Sequence, residues 1–189
     1  MKKLLLIITH YSQKNIFLDI LNSNKRIQKI DLKLYKDINN IFMLDSIKNE
    51  YRKNPSFYMD SLFFNHQFSF SPLLDFCKFV YLIRKPRYIV PDLVEKKIYD
   101  YNSACSYYNF RLRKIYEMII KTPKENQRVY FDDDFEKQDT YEDIKSYLNL
   151  KEGFKIKNAI DEPRSINSVF EICDKCYEKY RYKIKQGLR

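Results

Sequence analysis

The chain has 189 residues, of which 44% are hydrophobic and 16% aromatic, so it is long enough to bury a core and too apolar to be disordered. Lysine and arginine number 35 against 25 acidic residues, and the formal charge of +10 favours anionic partners such as nucleotides, acidic glycans, nucleic acid or membrane headgroups. A solvated lysine-rich surface has the same composition, so the charge narrows the partner class without naming it. We expect one domain over residues 1–189.

The N-terminal segment MKKLLLIITHYSQKN resembles a signal peptide only superficially. Its apolar run from Leu4 to Ile8 is shorter than the hydrophobic region of a signal peptide, and no small-residue cleavage site follows it. A helix needs about 20 consecutive apolar residues to cross a bilayer, and no stretch of the chain approaches this length. We therefore expect no membrane span and a cytoplasmic location.

The first elements predicted along the chain are a strand, a turn and a helix. Leu4–Thr9 is a continuous apolar run of the length typical of a buried parallel strand. After the turn at residues 10–15, apolar residues at helical spacing predict a helix over 16–21, which Asn22-Ser23-Asn24 ends. Ligands bind at such loops in open α/β sheets.

The next region predicts two weaker strands separated by a polar helix. Residues 27–34 alternate between apolar and polar side chains, as in a half-exposed strand, and residues 39–54 have a mostly polar helical pattern. Residues 61–66 predict a short strand that places His66 at its carboxyl end. Lys78–Ile83 is the clearest internal strand, and Pro86 forces the chain to turn after it.

The second half of the chain is mainly helical. Residues 93–121 predict one long helix, and Arg128–Phe131 predicts a last short strand ended by Asp132-Asp133-Asp134. Thr140 is predicted to cap the following helix, with Asp143 as a weak capping box, and a final helix spans residues 165–185. The apolar stripe of the long helix comprises Leu93, Val94, Ile98, Tyr101, Cys105, Tyr108, Leu112, Ile115 and Ile119. Strands that alternate with helices predict an α/β domain with a parallel sheet.

The four cysteines do not have the spacing of a secreted disulfide framework. Cys173 and Cys176 have metal-ligand spacing, but no second pair completes a zinc site. We predict that both lie on one face of the last helix as small apolar residues and that the chain holds no metal.

The segment from Phe64 to Leu150 resembles the core of sulfotransferases that use 3′-phosphoadenosine 5′-phosphosulfate (PAPS). KFVYLIRKPRYIV matches their strand that runs into an Arg-x-Pro-Arg turn, and RVYFDDDFEKQDTYEDIKSYLNL matches their later strand, acidic element and capped helix. The order and spacing of these elements also agree. The resemblance implies a three-layer P-loop-like fold with a central, mostly parallel sheet flanked by helices.

In that family the Arg at the end of the strand binds the 3′-phosphate of the nucleotide, which assigns this role to Arg84. A guanidinium can hold phosphate through two parallel charge-assisted hydrogen bonds. The alternative is that Arg84 pairs with an acid such as Asp92 or Asp75. Arg87 and Asp92 complete this part of the implied nucleotide site, although Asp92 stands where the family has Ser. A carboxylate there repels phosphate unless it turns away or pairs with Arg84 or Arg87.

The family's N-terminal loop resembles Pro-Lys-Ser-Gly-Thr-Thr, and the residues here at that position are Ser12-Gln13-Lys14-Asn15-Ile16-Phe17. The glycine that lets backbone approach phosphate closely is absent, and Ile16 and Phe17 replace the hydroxyl residues. The resemblance implies that Ser12, Lys14 and Asn15 bind the nucleotide, with Lys14 offsetting charge during transfer. The alternative is an ordinary turn between a strand and a helix.

Many of these enzymes use a His upstream of the Arg strand as general base, and His66 lies at a corresponding place. An imidazole that titrates near neutrality suits this task. A structural or exposed histidine is the alternative, and His10 is a weaker candidate base. The acceptor is then a hydroxyl of a glycan or a small molecule.

Three functional interpretations follow from the sequence. The first is an active sulfotransferase, and the second is a protein of the same fold that binds a nucleotide or other anion without catalysis. The altered loop and Asp92 favour the second. The third is a basic nucleic-acid-binding protein, suggested by aromatic residues among basic ones in YYNFRLRK and KYRYKIKQGLR. No recognised nucleic-acid-binding module supports the third interpretation.

Overall fold

Five strands form one sheet in the computed structural model, which describes residues 4–9, 20–21, 23–25, 27–29, 57–61, 77–134, 137–155 and 171–188. The strands are β1 (Leu4–Thr9), β2 (Ile27–Lys29), β3 (Phe57–Ser61), β4 (Cys77–Ile83) and β5 (Gln127–Phe131). Their order across the sheet is β2-β3-β1-β4-β5, and every pair of neighbours is parallel. The described residues therefore form a mixed α/β structure with a parallel sheet.

Four helices are described after β4. They are α1 (Pro86–Glu95), α2 (Tyr101–Lys121), α3 (Gln138–Leu148) and α4 (Glu171–Gly187). Two short 3₁₀ turns, Lys124–Asn126 and Asp132–Asp134, flank β5. No helix within the described ranges combines the length and apolar character needed to cross a bilayer.

Both faces of β4 are buried, because successive side chains of a strand point to opposite sides of the sheet. Phe79, Tyr81 and Ile83 belong to a core cluster with α1, α2 and α4. Val80 and Leu82 belong to a second cluster that includes α3 and residues 20–21. Helices thus cover both sides of β4, which explains why this strand is apolar at nearly every position.

The sequence located three of the strands closely. β1 spans the predicted residues, and β4 and β5 each begin one residue earlier than predicted. β2 is a short part of the predicted region 27–34, and the predicted helix over 39–54 lies outside the described residues. β3 spans Phe57–Ser61, a segment that the sequence did not predict as a strand, and its pairing with β1 places Met59 opposite Leu5. Of the predicted strand over residues 61–66, only Ser61 lies within the described residues.

The predicted single helix over 93–121 is two helices, so this prediction was wrong. The chain leaves α1 after Glu95, and Lys97 adopts a left-handed conformation with φ of 54°. Asp100 then starts α2, where its side chain accepts a hydrogen bond from the Ser103 backbone N–H at 3.0 Å. Ile98, predicted as part of the apolar stripe, lies in the connection and is 37% exposed.

Replacement of Asp100 by Ala is expected to lower the free energy of unfolding, because it removes the N-cap of α2. The Asp100 side chain also accepts a hydrogen bond from the Ser103 hydroxyl at 2.6 Å. Asp100→Asn is the matched control, since Asn caps helices as well as Asp does and should retain most of the stability. Urea denaturation followed by circular dichroism measures both variants. Equal losses in the two variants would contradict the capping role.

The prediction that Thr140 caps the following helix was also wrong. Lys137 is the N-cap of α3, and Thr140 lies in the first turn, where its hydroxyl donates to the Asp134 carbonyl oxygen at 2.6 Å. Asp143 accepts a hydrogen bond from Arg128 instead of completing a capping box. The helix ends at Leu148, since Asn149 adopts the left-handed conformation that stops helices.

The last helix is described from Glu171 onward and extends to Gly187, so its end agrees with the sequence prediction to within two residues. Cys173 is buried in the first core cluster, and Cys176 packs against the same cluster. The thiol of Cys173 donates to the Cys105 carbonyl oxygen on α2 at 3.9 Å. Both cysteines of the pair are therefore packing residues, as the sequence predicted.

Candidate functional site at the carboxyl edge of the sheet

The parallel sheet places the carboxyl ends of its strands along one edge. Thr9 at the end of β1 lies opposite Leu82, and Ile83 at the end of β4 lies opposite Phe131. β1 lies between β3 and β4, so the loop that follows β1 starts where the order of the strands reverses. Ligands in open α/β sheets bind at this kind of point, outside the carboxyl ends of the strands.

Arg84 directly follows β4 at this edge and is almost completely buried. Its Nε atom donates to Oδ1 of Asp132 at 3.1 Å, and the two side chains are 5% and 9% exposed. Its guanidinium carbon lies 4.9 Å from the centre of the Tyr88 ring. The Tyr108 hydroxyl of α2 donates to the Arg84 carbonyl oxygen at 2.7 Å. Both the backbone and the side chain of Arg84 are thus held in place.

Asp132 directly follows β5, as Arg84 directly follows β4. The two residues lie side by side because Ile83 and Phe131, which precede them, are opposite each other in the paired strands. Its other carboxylate oxygen accepts a hydrogen bond from the backbone N–H of Lys85, the N-cap residue of α1. A helix N-terminus attracts negative charge through its free N–H groups and its dipole. Asp132 therefore occupies an anion-binding position formed by a helix terminus and a guanidinium.

Burial is the largest influence on the pKa of Asp132, and it raises this pKa above the ordinary value of 3.8. The charge of Arg84 and the N–H of Lys85 act in the opposite direction on the same pKa, because both stabilise the carboxylate. Because Arg84 stabilises the charged form of the buried Asp132 carboxylate, removal of either side chain destabilises the other.

Asp133 connects this edge to the last helix. Its Oδ1 accepts from Lys85 Nζ at 2.6 Å, and its Oδ2 accepts from Arg181 of α4 at 2.6 Å. The hydrogen bond from Lys85 and the charges of both cations lower the pKa of Asp133 below 3.8. Arg181 also lies 5.6 Å from the Phe131 ring and 5.9 Å from the Tyr177 ring. α4 thereby closes over the carboxyl end of β5.

The structure places Arg87 and Asp92 on α1. The guanidinium carbon of Arg87 lies 5.3 Å from the centre of the Tyr88 ring, which the guanidinium carbon of Arg84 also approaches at 4.9 Å. Asp92 pairs with Lys96 one turn later, at 2.5 Å. The described acid that pairs with Arg84 is therefore Asp132 rather than Asp92, and Asp75 lies outside the described residues.

Four predicted site residues, Ser12, Lys14, Asn15 and His66, lie outside the described residues, as does His10. The strands that precede them are described. Ser12, Lys14 and Asn15 come shortly after the carboxyl end of β1, and His66 comes after the carboxyl end of β3. β1 pairs with β4 on one side and with β3 on the other. All the predicted site residues therefore follow the carboxyl ends of three neighbouring strands.

Sequence reasoning missed the roles of Asp132, Asp133 and Arg181. The run Asp132-Asp133-Asp134 was interpreted only as the end of a strand, and Arg181 only as one of the basic residues in KYRYKIKQGLR. One signal was available for Asp132. Asp132 directly follows the apolar strand β5, and Arg84 directly follows the apolar strand β4. Parallel pairing of these two strands therefore brings the two residues together. No pattern in the sequence indicated that α4 reaches this edge.

No protein-family model matches the chain, and no curated protein is significantly similar to it. The family resemblance therefore depends on the strand, turn and helix motifs of residues 64–150 and on the element order.

Proposed function

We propose that the protein has a three-layer P-loop-like fold of the sulfotransferase kind and binds PAPS or a closely related nucleotide at the carboxyl edge of its sheet. One observation carries the proposal: Arg84 directly follows β4, beside the point where the order of the strands reverses. The coverage of both faces of β4 by helices also supports the three-layer arrangement. In this proposal Arg84 binds the 3′-phosphate.

The proposed reaction is in-line transfer of a sulfuryl group to a hydroxyl acceptor. The bound donor supplies the sulfuryl group, whose bond to the donor's terminal phosphate oxygen breaks as the bond to the acceptor oxygen forms. His66 accepts the proton of the acceptor hydroxyl, and Lys14 offsets the negative charge that develops on the departing phosphate oxygen. Ser12 and Asn15 donate hydrogen bonds to the same phosphate from the loop after β1.

A second candidate is an anion-binding protein that keeps the fold and lacks the transfer reaction. The contacts of Asp132 favour it, because this carboxylate already holds Arg84 and the N-terminus of α1. The absence of glycine from the loop after β1 favours it as well. A guanidinium has five N–H donors, so phosphate can share Arg84 with Asp132 or replace it.

Titration calorimetry with 3′-phosphoadenosine 5′-phosphate tests both candidates. We expect micromolar binding that Arg84→Lys weakens about tenfold, because Lys keeps the charge for Asp132 and loses the fork that holds phosphate through two bonds. Arg113→Lys is the matched control, since Arg113 is 65% exposed and pairs with Glu117 on α2. Equal affinity in the wild type and Arg84→Lys would contradict the role of Arg84.

Label transfer from PAPS to a panel of hydroxyl acceptors separates the two candidates. Transfer that His66→Ala abolishes, with nucleotide affinity unchanged, supports the enzyme. Nucleotide binding without transfer to any acceptor supports the binding protein. Salt-sensitive affinity for oligonucleotides without nucleotide binding would overturn both and favour a nucleic-acid-binding protein.

A further inference from the structure

The carboxyl half of α4 carries positive charge that the acidic turn after β5 compensates only in part. Residues 179–189 include five basic residues and no acidic one. Arg181 pairs with Asp133, and the Lys185 ammonium lies 5.4 Å from the centre of the Phe131 ring, so both lie near the end of β5. Lys179 and Lys183 are exposed and form no ion pair with an acid among the described residues. Their charge is therefore available to an anionic partner.

Two tyrosine rings lie beside these lysines, where α2 packs against α4. The centres of the Tyr116 and Tyr180 rings are 5.2 Å apart. The Lys183 ammonium lies 5.7 Å from the first centre and 5.8 Å from the second. A cation is attracted to the negative face of an aromatic ring, so the two rings hold the charge of Lys183 at the surface between the helices.

A third ring, that of Tyr182, lies on the outer side of α4 and is 64% exposed. Lys179 precedes it by three residues and Gln186 follows it by four, so all three lie on one side of the helix. The Tyr182 hydroxyl accepts a hydrogen bond from the Gln186 amide at 2.5 Å, a contact with the edge of the ring and not with its faces. We define the α4 patch as Tyr116, Lys179, Tyr180, Tyr182 and Lys183.

The arrangement of apolar residues on α4 does not suit a membrane surface. A helix that binds a bilayer inserts a continuous apolar face. The apolar face of α4 is already used inside the protein, because Cys173, Tyr177 and Ile184 are buried in the first core cluster. The large apolar residues that α4 exposes, Ile172 and Tyr182, are ten residues apart. Exposed lysines beside tyrosine rings fit a nucleic acid better than a lipid surface.

We propose that the α4 patch binds single-stranded nucleic acid, with a base stacked on Tyr182 and phosphates bound by Lys179 and Lys183. The phosphates complement the positive charge, and every unpaired base has a flat face that can stack on an aromatic ring. The bases of a duplex are stacked on one another, so the exposed ring favours single strands. This inference goes beyond the proposed nucleotide site and does not rest on it.

Fluorescence anisotropy of a labelled oligouridine of about 12 nucleotides, measured with the full-length protein, tests the stacking role. We expect Tyr182→Ala to weaken binding about tenfold, because it removes the ring on which a base stacks. Tyr182→Phe is the matched control, since it keeps the ring and loses only the contact with Gln186. Tyr182 is exposed, so neither substitution should affect folding. Equal losses in the two variants would overturn the stacking role.

The salt dependence of the same affinity tests the lysines. Lys179→Gln and Lys183→Gln are each expected to weaken binding and to reduce the slope of log K against log salt concentration by about 0.7, because one phosphate contact is lost. Lys145→Gln is the control, since Lys145 pairs with Glu142 on α3, which covers the opposite face of the sheet. Equal changes in all three variants would overturn the patch and leave only an effect of net charge.

Three further measurements distinguish the partner and the site. We expect weaker binding to a duplex of the same length, and vesicles that contain phosphatidylserine should not bind. Equal affinity for the duplex, or binding to the vesicles without binding to oligouridine, would overturn the inference. Arg84→Lys should leave the affinity for oligouridine unchanged, because Arg84 is buried at the carboxyl edge of the sheet.

The variants also separate this inference from the proposed function. Oligouridine binding that Arg84→Lys weakens and Tyr182→Ala does not would place the strand in the nucleotide site and overturn the α4 patch. If 3′-phosphoadenosine 5′-phosphate does not bind and the Tyr182 and lysine variants behave as expected, the patch stands and the nucleotide site does not.

Discussion

We expect the Asp132→Ala substitution to lower the free energy of unfolding by about 3–5 kcal/mol, because it removes the carboxylate that pairs with the buried Arg84 guanidinium. The side chains of the pair are only 5% and 9% exposed, so water cannot replace the lost contact without opening the structure. The variant also removes the acceptor of the Lys85 N–H at the start of α1. Urea denaturation followed by circular dichroism is a suitable measurement, since the chain has no tryptophan.

Two controls separate the charge from the hydrogen bonds. Asp132→Asn keeps an oxygen acceptor for the Lys85 N–H and should lose less stability than Asp132→Ala. Asp133→Ala removes the neighbouring carboxylate, which is 41% exposed, and should change stability by less than about 1 kcal/mol. A loss below about 1 kcal/mol for Asp132→Ala would show that the pair with Arg84 does not hold the two strand ends together.

The Ile115→Ala variant is expected to lose about 2–5 kcal/mol of unfolding free energy. Ile115 is completely buried on α2, in the core cluster that this helix shares with β4 and α4. Truncation removes apolar contacts and leaves a cavity that the packed neighbours fill only in part. The measurement is again denaturation in urea, with the midpoint and the slope compared to those of the wild type.

The chain offers a closely matched control for this variant. Ile120 lies on the same helix and is 61% exposed, so Ile120→Ala removes the same atoms from water rather than from the core. We expect it to change stability by less than about 0.5 kcal/mol. Similar losses for the two variants would mean that the buried face of α2 is not the one described.

The sequence alone determined the elements whose signal is local. β1 and β4 are apolar at nearly every position, as is typical of strands in a parallel sheet, and helices cover both faces of β4. The turn after β4 was also apparent, since Pro86 restricts Lys85 to an extended conformation, but the sequence did not predict that a helix begins at Pro86. Arg84 followed as the residue directly after β4, at the carboxyl edge of the sheet.

The tertiary structure decided everything that depends on which strands are neighbours. Pairing with β1 showed that residues 57–61 form β3, and the parallel pairing of β4 with β5 brought Asp132 to Arg84 across 48 residues of sequence. The packing of α4 onto the same edge brought Arg181 to Asp133. Charged groups that are distant in sequence are brought together by the register of the strands and the packing of the helices. Local sequence patterns specify neither the register nor the packing.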